Sequence, residues 1–242
     1  MMMTKMARRV VRLISCVAVA FIGGCLVTSS EDIDTSNIYA AFTAEASTAI
    51  SIDVAAELHE KEANGTGISL ADSDVLKATV GDKTQALDGA LSTYSAVFSD
   101  LNATAGTQVK VTLERASKTS APNTVMTMPD PFEIVLPPDS VPSRSRASDL
   151  IVTWSPSGTT QHMKVGLAGD CIEDFSRELD SDPGTFTIAP SDIKAKSGQS
   201  DVTCEATLKV SRSNAGTIDP AFASGSQATA VQSRNRWFDL TP

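Results

Sequence analysis

Hydrophobic and polar residues alternate along most of this chain. In "AISIDVAAELHE", Ile50, Ile52, Val54, Ala56 and Leu58 share one face, while Ser51, Asp53 and Glu57 share the other. The same period of two runs through Tyr94, Ala96 and Phe98, and through Val109, Val111 and Leu113. It returns at Leu150, Val152 and Trp154, at Met163, Val165 and Leu167, and at Phe186 and Ile188. A last run holds Val202, Cys204, Ala206, Leu208 and Val210. Side chains of a strand point alternately to its two faces, so each run predicts a strand with one buried face. "VLKATVGDKTQAL" predicts a hairpin turning at Gly81 and Asp82. Between residues 85 and 101 a second pattern competes, because Ala86, Leu87, Ala90, Leu91, Tyr94, Val97, Phe98 and Leu101 also fit a helical stripe. Gly89 in its middle and the β-formers around Tyr94 favour strand.

Short strands separated by Gly, Asn, Asp and Pro predict an all-β chain built as β-sandwiches. "MPDPFEIVLPPDSVPSRSRASD" interrupts the pattern, and its prolines remove ladder donors. A boundary near Asp130 divides the body into a sandwich over residues 38–130 and another over residues 131–242. Both spans are of ordinary sandwich size, about 100 residues.

The N-terminus is different. Lys5, Arg8, Arg9 and Arg12 form a cationic stretch, and residues 10–22 form an apolar run. At roughly 13 residues this run is shorter than the about 20 that a membrane span needs, and the order of parts is that of a secretory signal. Ile22-Gly23-Gly24-Cys25 resembles the bacterial lipobox: an aliphatic residue, two small ones, then cysteine. The resemblance implies a lipoprotein signal over residues 1–24, cleaved before Cys25. It also implies acyl lipid (diacylglycerol on the thiol, palmitate or a similar chain on the amine) and anchorage to a membrane. Residue 26 is Leu and not the Asp that resembles an inner-membrane retention signal, which by analogy indicates the outer membrane, facing the periplasm or the cell surface. Residues 25–37 are polar and acidic without an apolar period, and predict a flexible tether of roughly 20 Å.

Composition narrows the partners. The formal net charge is −9, and removing the basic leader leaves the remainder more acidic still. Such a chain is unsuited to nucleic acid, whose phosphates demand Lys and Arg. Four cysteines are present. Cys16 leaves with the leader and Cys25 is the lipid acceptor, so Cys171 and Cys204 remain and, in an exported chain, predict a disulfide. Closing that loop contributes roughly 3–4 kcal/mol on the chain-entropy model.

Candidate chemistry is sparse. Ser191 and Lys194 have the Ser-x-x-Lys spacing of some acyl-transfer enzymes, but they lie in a turn and no Lys-Thr-Gly partner follows. His59 and His162 are far apart in sequence and are expected to be solvated. Asp170, Glu173, Asp174, Asp180 and Asp182 offer oxygen ligands for calcium without the order of a dedicated loop, and a solvated acidic loop is the simpler reading. Trp154, Trp237 and Phe238 offer either a sugar-stacking platform or core residues, and with only 5% aromatics core burial is the better account. No cofactor motif is present, and the chain is expected not to be an enzyme.

"DLIVTWSPSG" followed by "QHMKVGLAG" resembles the second and third strands of a fibronectin type III domain, and "YSAVFSDLNATAGTQVKVTL" resembles the fifth and sixth. The resemblance implies core positions for Trp154, Leu101 and Val109. Val109 stands where that family usually has tyrosine, and neither Met163 nor Val165 supplies its third-strand aromatic. Fibronectin-like and immunoglobulin-like sandwiches both fit. A lipobox ahead of two such domains resembles uncharacterised lipoproteins of Gram-negative bacteria. The expected role is a non-catalytic, lipid-anchored envelope protein, a spacer or protein-binding module, with a carbohydrate-binding or adhesive surface lipoprotein as the alternative and an envelope hydrolase a distant third. Its partners would be the membrane and an envelope protein or glycan.

Overall fold

The computed structural model describes residues 27–101, 103–139 and 143–242. Residues 1–26, with Cys25 and the signal, lie outside them. The described chain is all β apart from three short 3-10 turns. Its strands are β1 Val27–Ser29, β2 Ile38–Thr48, β3 Ser51–Glu60, β4 Gly67–Ser69, β5 Val75–Val80 and β6 Lys83–Ala86. β7 Asp88–Ala90, β8 Thr93–Ser99, β9 Gln108–Glu114, β10 Ala121–Thr127, β11 Glu133–Leu136 and β12 Ser143–Ser145 follow. The last six are β13 Leu150–Ser155, β14 His162–Gly169, β15 Ile172–Leu179, β16 Thr185–Ile188, β17 Cys204–Ala215 and β18 Gln227–Thr241.

Period two decided the local outcome. β8 is buried at Tyr94, Ala96 and Phe98 and exposed between them, so the contested stretch is strand. β5 and β6 form the hairpin, with Gly81 at φ +61° in its turn, a conformation that glycine adopts without steric cost. Ile50 departs from its expected face: it falls in the turn before β3 and is 64% exposed.

Two cores result. The first lies between β2, β3 and β8 in one layer and β10-β9-β5-β6 in the other. The second lies between β11-β13-β16 and β18-β17-β14-β15. In both, the first, second and fifth strands face the third, fourth, sixth and seventh, which is the fibronectin-like arrangement. Val109 is fully buried and Leu101 packs against the first core from its margin. Trp154 is buried in the second.

The cores do not follow the chain in a single cut. β18 is 15 residues long. It pairs with β17 along nearly its whole length, and its first part, from Gln227 to Gln232, also pairs in parallel with Ala41 to Ala46 of β2. The C-terminal hairpin of the second sandwich thereby extends the sheet of the first. Ala228 and Ala230 are in the first core, and Phe238 and Leu240 are in the second. Phe222, in the loop between β17 and β18, packs against Phe42 with ring centroids 5.6 Å apart.

The expected flexible tether is corrected. β1 pairs with β4, and Ser30, Ile33 and Thr35 are buried. Arg115, itself buried, donates to the carbonyls of Ser30 and Ile33, to the Thr35 hydroxyl and to Asp74. Ser30 Oγ donates to Asp74 Oδ2 at 2.7 Å. The polar residues that read as a solvated linker are partners of one buried ion pair.

Replacing Phe222 with Ala is expected to destabilise the first core by about 3–5 kcal/mol, although the residue lies more than a hundred positions from most of that core. A thermal melt of Phe222→Ala unchanged from the wild type would contradict this packing.

Candidate functional site

β17 and β18 carry inward-facing residues past both cores. On β17 the inward row Ala206, Leu208 and Val210 ends in Arg212, whose side chain is fully buried. Its guanidinium donates to Asp182 Oδ2 at 2.8 Å, to the Pro156 carbonyl at 2.7 Å and to the Asp130 carbonyl at 2.9 Å. Nε lies 3.4 Å from Met163 Sδ, and the charge sits 5.0 Å from the Phe132 ring centroid. Asp182 also accepts from Trp154 Nε1 at 2.6 Å and from the Thr159 hydroxyl at 2.8 Å. Burial pushes the Asp182 carboxyl up, but the donors from Trp154 and Thr159 and the Arg212 charge outweigh it and hold it below its ordinary value. Arg234 of β18 approaches the same Phe132 ring at 5.6 Å, and Gln232 donates to the Ala103 carbonyl. Arg212 and Asp182 thus join the second core to the segment that enters it, while Gln232 and Arg234, which also donates to the Ala46 carbonyl, reach across to the first sandwich.

The expected acidic loop is therefore divided. Asp182 is consumed by its pairing with Arg212, and Asp170, Glu173, Asp174 and Asp180 are exposed along β15 and its ends. Among the described residues no three His, Cys, Asp or Glu side chains gather as a metal group. Ser191 and Lys194 are exposed on a 3-10 turn and at its exit, not on one face of a helix. His59 Nδ1 is 3.1 Å from the Gly65 carbonyl, and His162 is exposed on β14. Of the proposed aromatic platform, Trp154 and Phe238 are buried and Trp237 alone is 60% exposed. Cys171 and Cys204 are bonded, with Cα atoms 5.8 Å apart. A structural disulfide belongs to an oxidising, extracytoplasmic setting. Among the described residues no helix is long and apolar enough to cross a membrane.

Both sandwiches contribute to the outer face of the shared sheet. One register row crosses six strands: Val97, Asp53, Glu45, Val231, Ser213 and His162, on β8, β3, β2, β18, β17 and β14. Glu45 Oε1 accepts from Lys209 Nζ at 2.7 Å and from Ser233 Oγ at 2.6 Å, which bridges the seam between β2 and the hairpin. Burial raises the Glu45 carboxyl, but these two donors and the Lys209 charge bring it below its ordinary value. Burial and the neighbouring Glu45 charge push Asp53 up. Beside the row lies a groove of about 550 Å³ lined by His162, Lys164, Glu178, Ser211 and Val231. Met163, Leu179 and Val231 add an apolar floor to these charges and hydroxyls, so the groove has the chemistry to bind a mixed polar and apolar protein surface.

Sequence reasoning missed Arg212 and Arg234. The available signal was parity: Arg212 shares the even positions of Cys204, Ala206, Leu208 and Val210, and Arg234 shares those of Phe238 and Leu240. A charged residue on an inward row requires hydrogen-bond partners and a counter-charge, here Asp182 for Arg212 and Glu133 for Arg234.

No protein-family model matches the chain, and no curated protein matches it. Among solved structures it is similar to a cytokine receptor complex, at 13% identity and a TM-score of 0.27, over 80% of this chain and 94% of that one. It is similar to the FN1–FN3 domains of chicken CNTN1, at 10% identity and a TM-score of 0.30, over 84% of this chain and 66% of that one. Immunoglobulin domains one and two of DIP-gamma match at 9% identity and a TM-score of 0.25, over 83% of this chain and 98% of that one. With TM-scores this low, the fold assignment rests on the strand order of the chain itself.

Arg212→Met is expected to cost about 3–5 kcal/mol, because it leaves the Asp182 carboxylate buried and unpaired. Urea unfolding reads this directly. A carboxyl held low in the fold contributes stability above its ordinary value of 3.8, and that contribution is lost as pH falls through the folded value. Between about pH 5 and about pH 2, wild-type stability should fall more steeply than that of Asp182→Asn. Parallel profiles would remove Asp182 from the acid response.

Proposed function

We propose that this chain is a non-catalytic, lipid-anchored protein of the cell envelope, tethered through Cys25 to the outer membrane. Its sandwiches, divided near Asp130 and coupled through the C-terminal hairpin, act as one platform for an envelope protein partner. The observation that carries this reading is the row from Val97 to His162, a single sheet face to which both sandwiches contribute. A face shared in this way keeps its shape only if the two units are held in register. The parallel pairing of β18 with β2 and the bonds from Gln232 to the Ala103 carbonyl and from Arg234 to the Ala46 carbonyl favour that constraint. The anchor reading draws on the short apolar run ending in Gly23-Gly24-Cys25 and on the oxidised Cys171–Cys204 pair.

Intact-mass spectrometry of the mature chain is expected to find Cys25 as its N-terminus carrying acyl chains, and Cys25→Ala should move the protein from the membrane to the soluble fraction. Cleavage elsewhere or an unmodified Cys25 would overturn the anchor. The platform is tested by Val231→Arg on the shared face against Ile151→Arg on the outer face of β13. The former should abolish partner co-purification from cross-linked membranes with its melt unchanged. Full retention of partners by Val231→Arg would place binding elsewhere.

A further inference from the structure

At the end of the first sandwich where β1 enters, the two-residue turn between β7 and β8 carries Leu91, which is 58% exposed and sits at φ +62°. A left-handed backbone at a non-glycine residue costs roughly 1–2 kcal/mol, and glycine or asparagine relieves it. Leucine here therefore bears a conformational cost while burying little of its side chain, which packing within the fold does not explain.

The position of this turn supplies the explanation. Val27 of β1 pairs with Gly67 of β4. Gly67 in turn lies against the turn, since a β-carbon at Gly67 would stand 3.0 Å from that of Ser92. The buried Tyr94 hydroxyl fixes the two together: it accepts from Leu70 N at 2.7 Å and donates to the Leu91 carbonyl at 3.2 Å. From Val27 back to Cys25 is two residues, at most about 7 Å of chain. The segment after Val27 is held by the Arg115–Asp74 network, so little slack separates an acylated Cys25 from this end of the sandwich.

We propose that the Leu91 turn is a membrane-contact point that seats in an uncharged lipid interface beside the anchor. The inference rests on the lipid-anchored reading of Cys25. Exposed at this end are Asp88 on β7 and Glu62 in the turn before β4, and the neighbouring Lys61 is paired with Glu60, so the balance is acidic, anionic head groups are not favoured and the contact is apolar. A single leucine adds little affinity of its own, on the order of 1.5–3 kcal/mol when fully buried. Acting next to a covalent anchor, it sets orientation: the first sandwich lies against the bilayer, and the platform stands at a fixed angle to it.

The test uses the lipidated full chain reconstituted into phosphatidylcholine vesicles that carry a nitroxide-labelled lipid near the head group. An environment-sensitive fluorophore is placed at Ala90→Cys, beside the turn, or at Ile151→Cys on the second sandwich. The fluorophore at position 90 should lose intensity to the nitroxide, that at position 151 should not, and raised salt should leave both unchanged. Leu91→Gly relieves the backbone and should melt no lower than the wild type, yet it should abolish quenching at position 90. Equal quenching at the two positions, or quenching at position 90 that survives Leu91→Gly, would overturn the proposal. Flotation with the vesicles reads the anchor separately: a chain that does not float loses the anchor reading and this one together, whereas a chain that floats without quenching at position 90 loses only this one.

Discussion

The second sandwich, and the segment that leads into it, depend on one buried ion pair. Arg212 and Asp182 have no solvent-exposed side-chain surface, and desolvating two charges costs several kcal/mol each unless their hydrogen bonds are nearly all made. Here they are made by groups that the fold must bring from five places. Asp130 and Phe132 come from the segment between the sandwiches, Trp154 from β13, Pro156 and Thr159 from the loop after it, Asp182 from the approach to β16, and Met163 from β14. An aliphatic residue in place of Arg212 would tolerate sliding at the junction. A guanidinium with fixed partners does not, so the charge sets geometry more than it adds net stability.

The same device holds the other end of the chain. Arg115 follows the inward row Val109, Val111 and Leu113 of β9, as Arg212 follows Ala206, Leu208 and Val210 of β17. Each places a guanidinium where an aliphatic layer runs out, and each gathers backbone carbonyls that lack ladder partners. One secures the N-terminal segment to the first sandwich, and the other secures the intervening segment to the second. The exported setting adds the Cys171–Cys204 bond, which links the start of β15 to the start of β17 on the far side of the second core.

What the sequence made legible was local. Each strand carries its own period of two, and the β5–β6 turn and the Cys171–Cys204 pair could be read without knowing any partner. Long-range pairing could not: Ser233 meets Glu45 across 188 residues, and neither flanking segment differs in composition from an ordinary edge strand. Ser30, Thr35 and Asp74 were illegible for another reason. Hydroxyls and carboxylates look the same in a solvated linker and in a buried network, and only the inward parity of Arg115 distinguishes the two. The shared face escaped likewise, because its residues are polar on strands whose aliphatic faces had already accounted for the pattern.

The C-terminal hairpin, paired with β17 on one side and with β2 on the other, makes one cooperative body of two cores. Native-state hydrogen exchange read by mass spectrometry tests it most directly, since it resolves opening free energies segment by segment. Amides of β3 and β9 in the first core and of β14 and β17 in the second are expected to be released at a common free energy, equal to that of global unfolding. Release of β3 and β9 at a markedly lower free energy, with β14 and β17 still protected, would show two independent domains and contradict it.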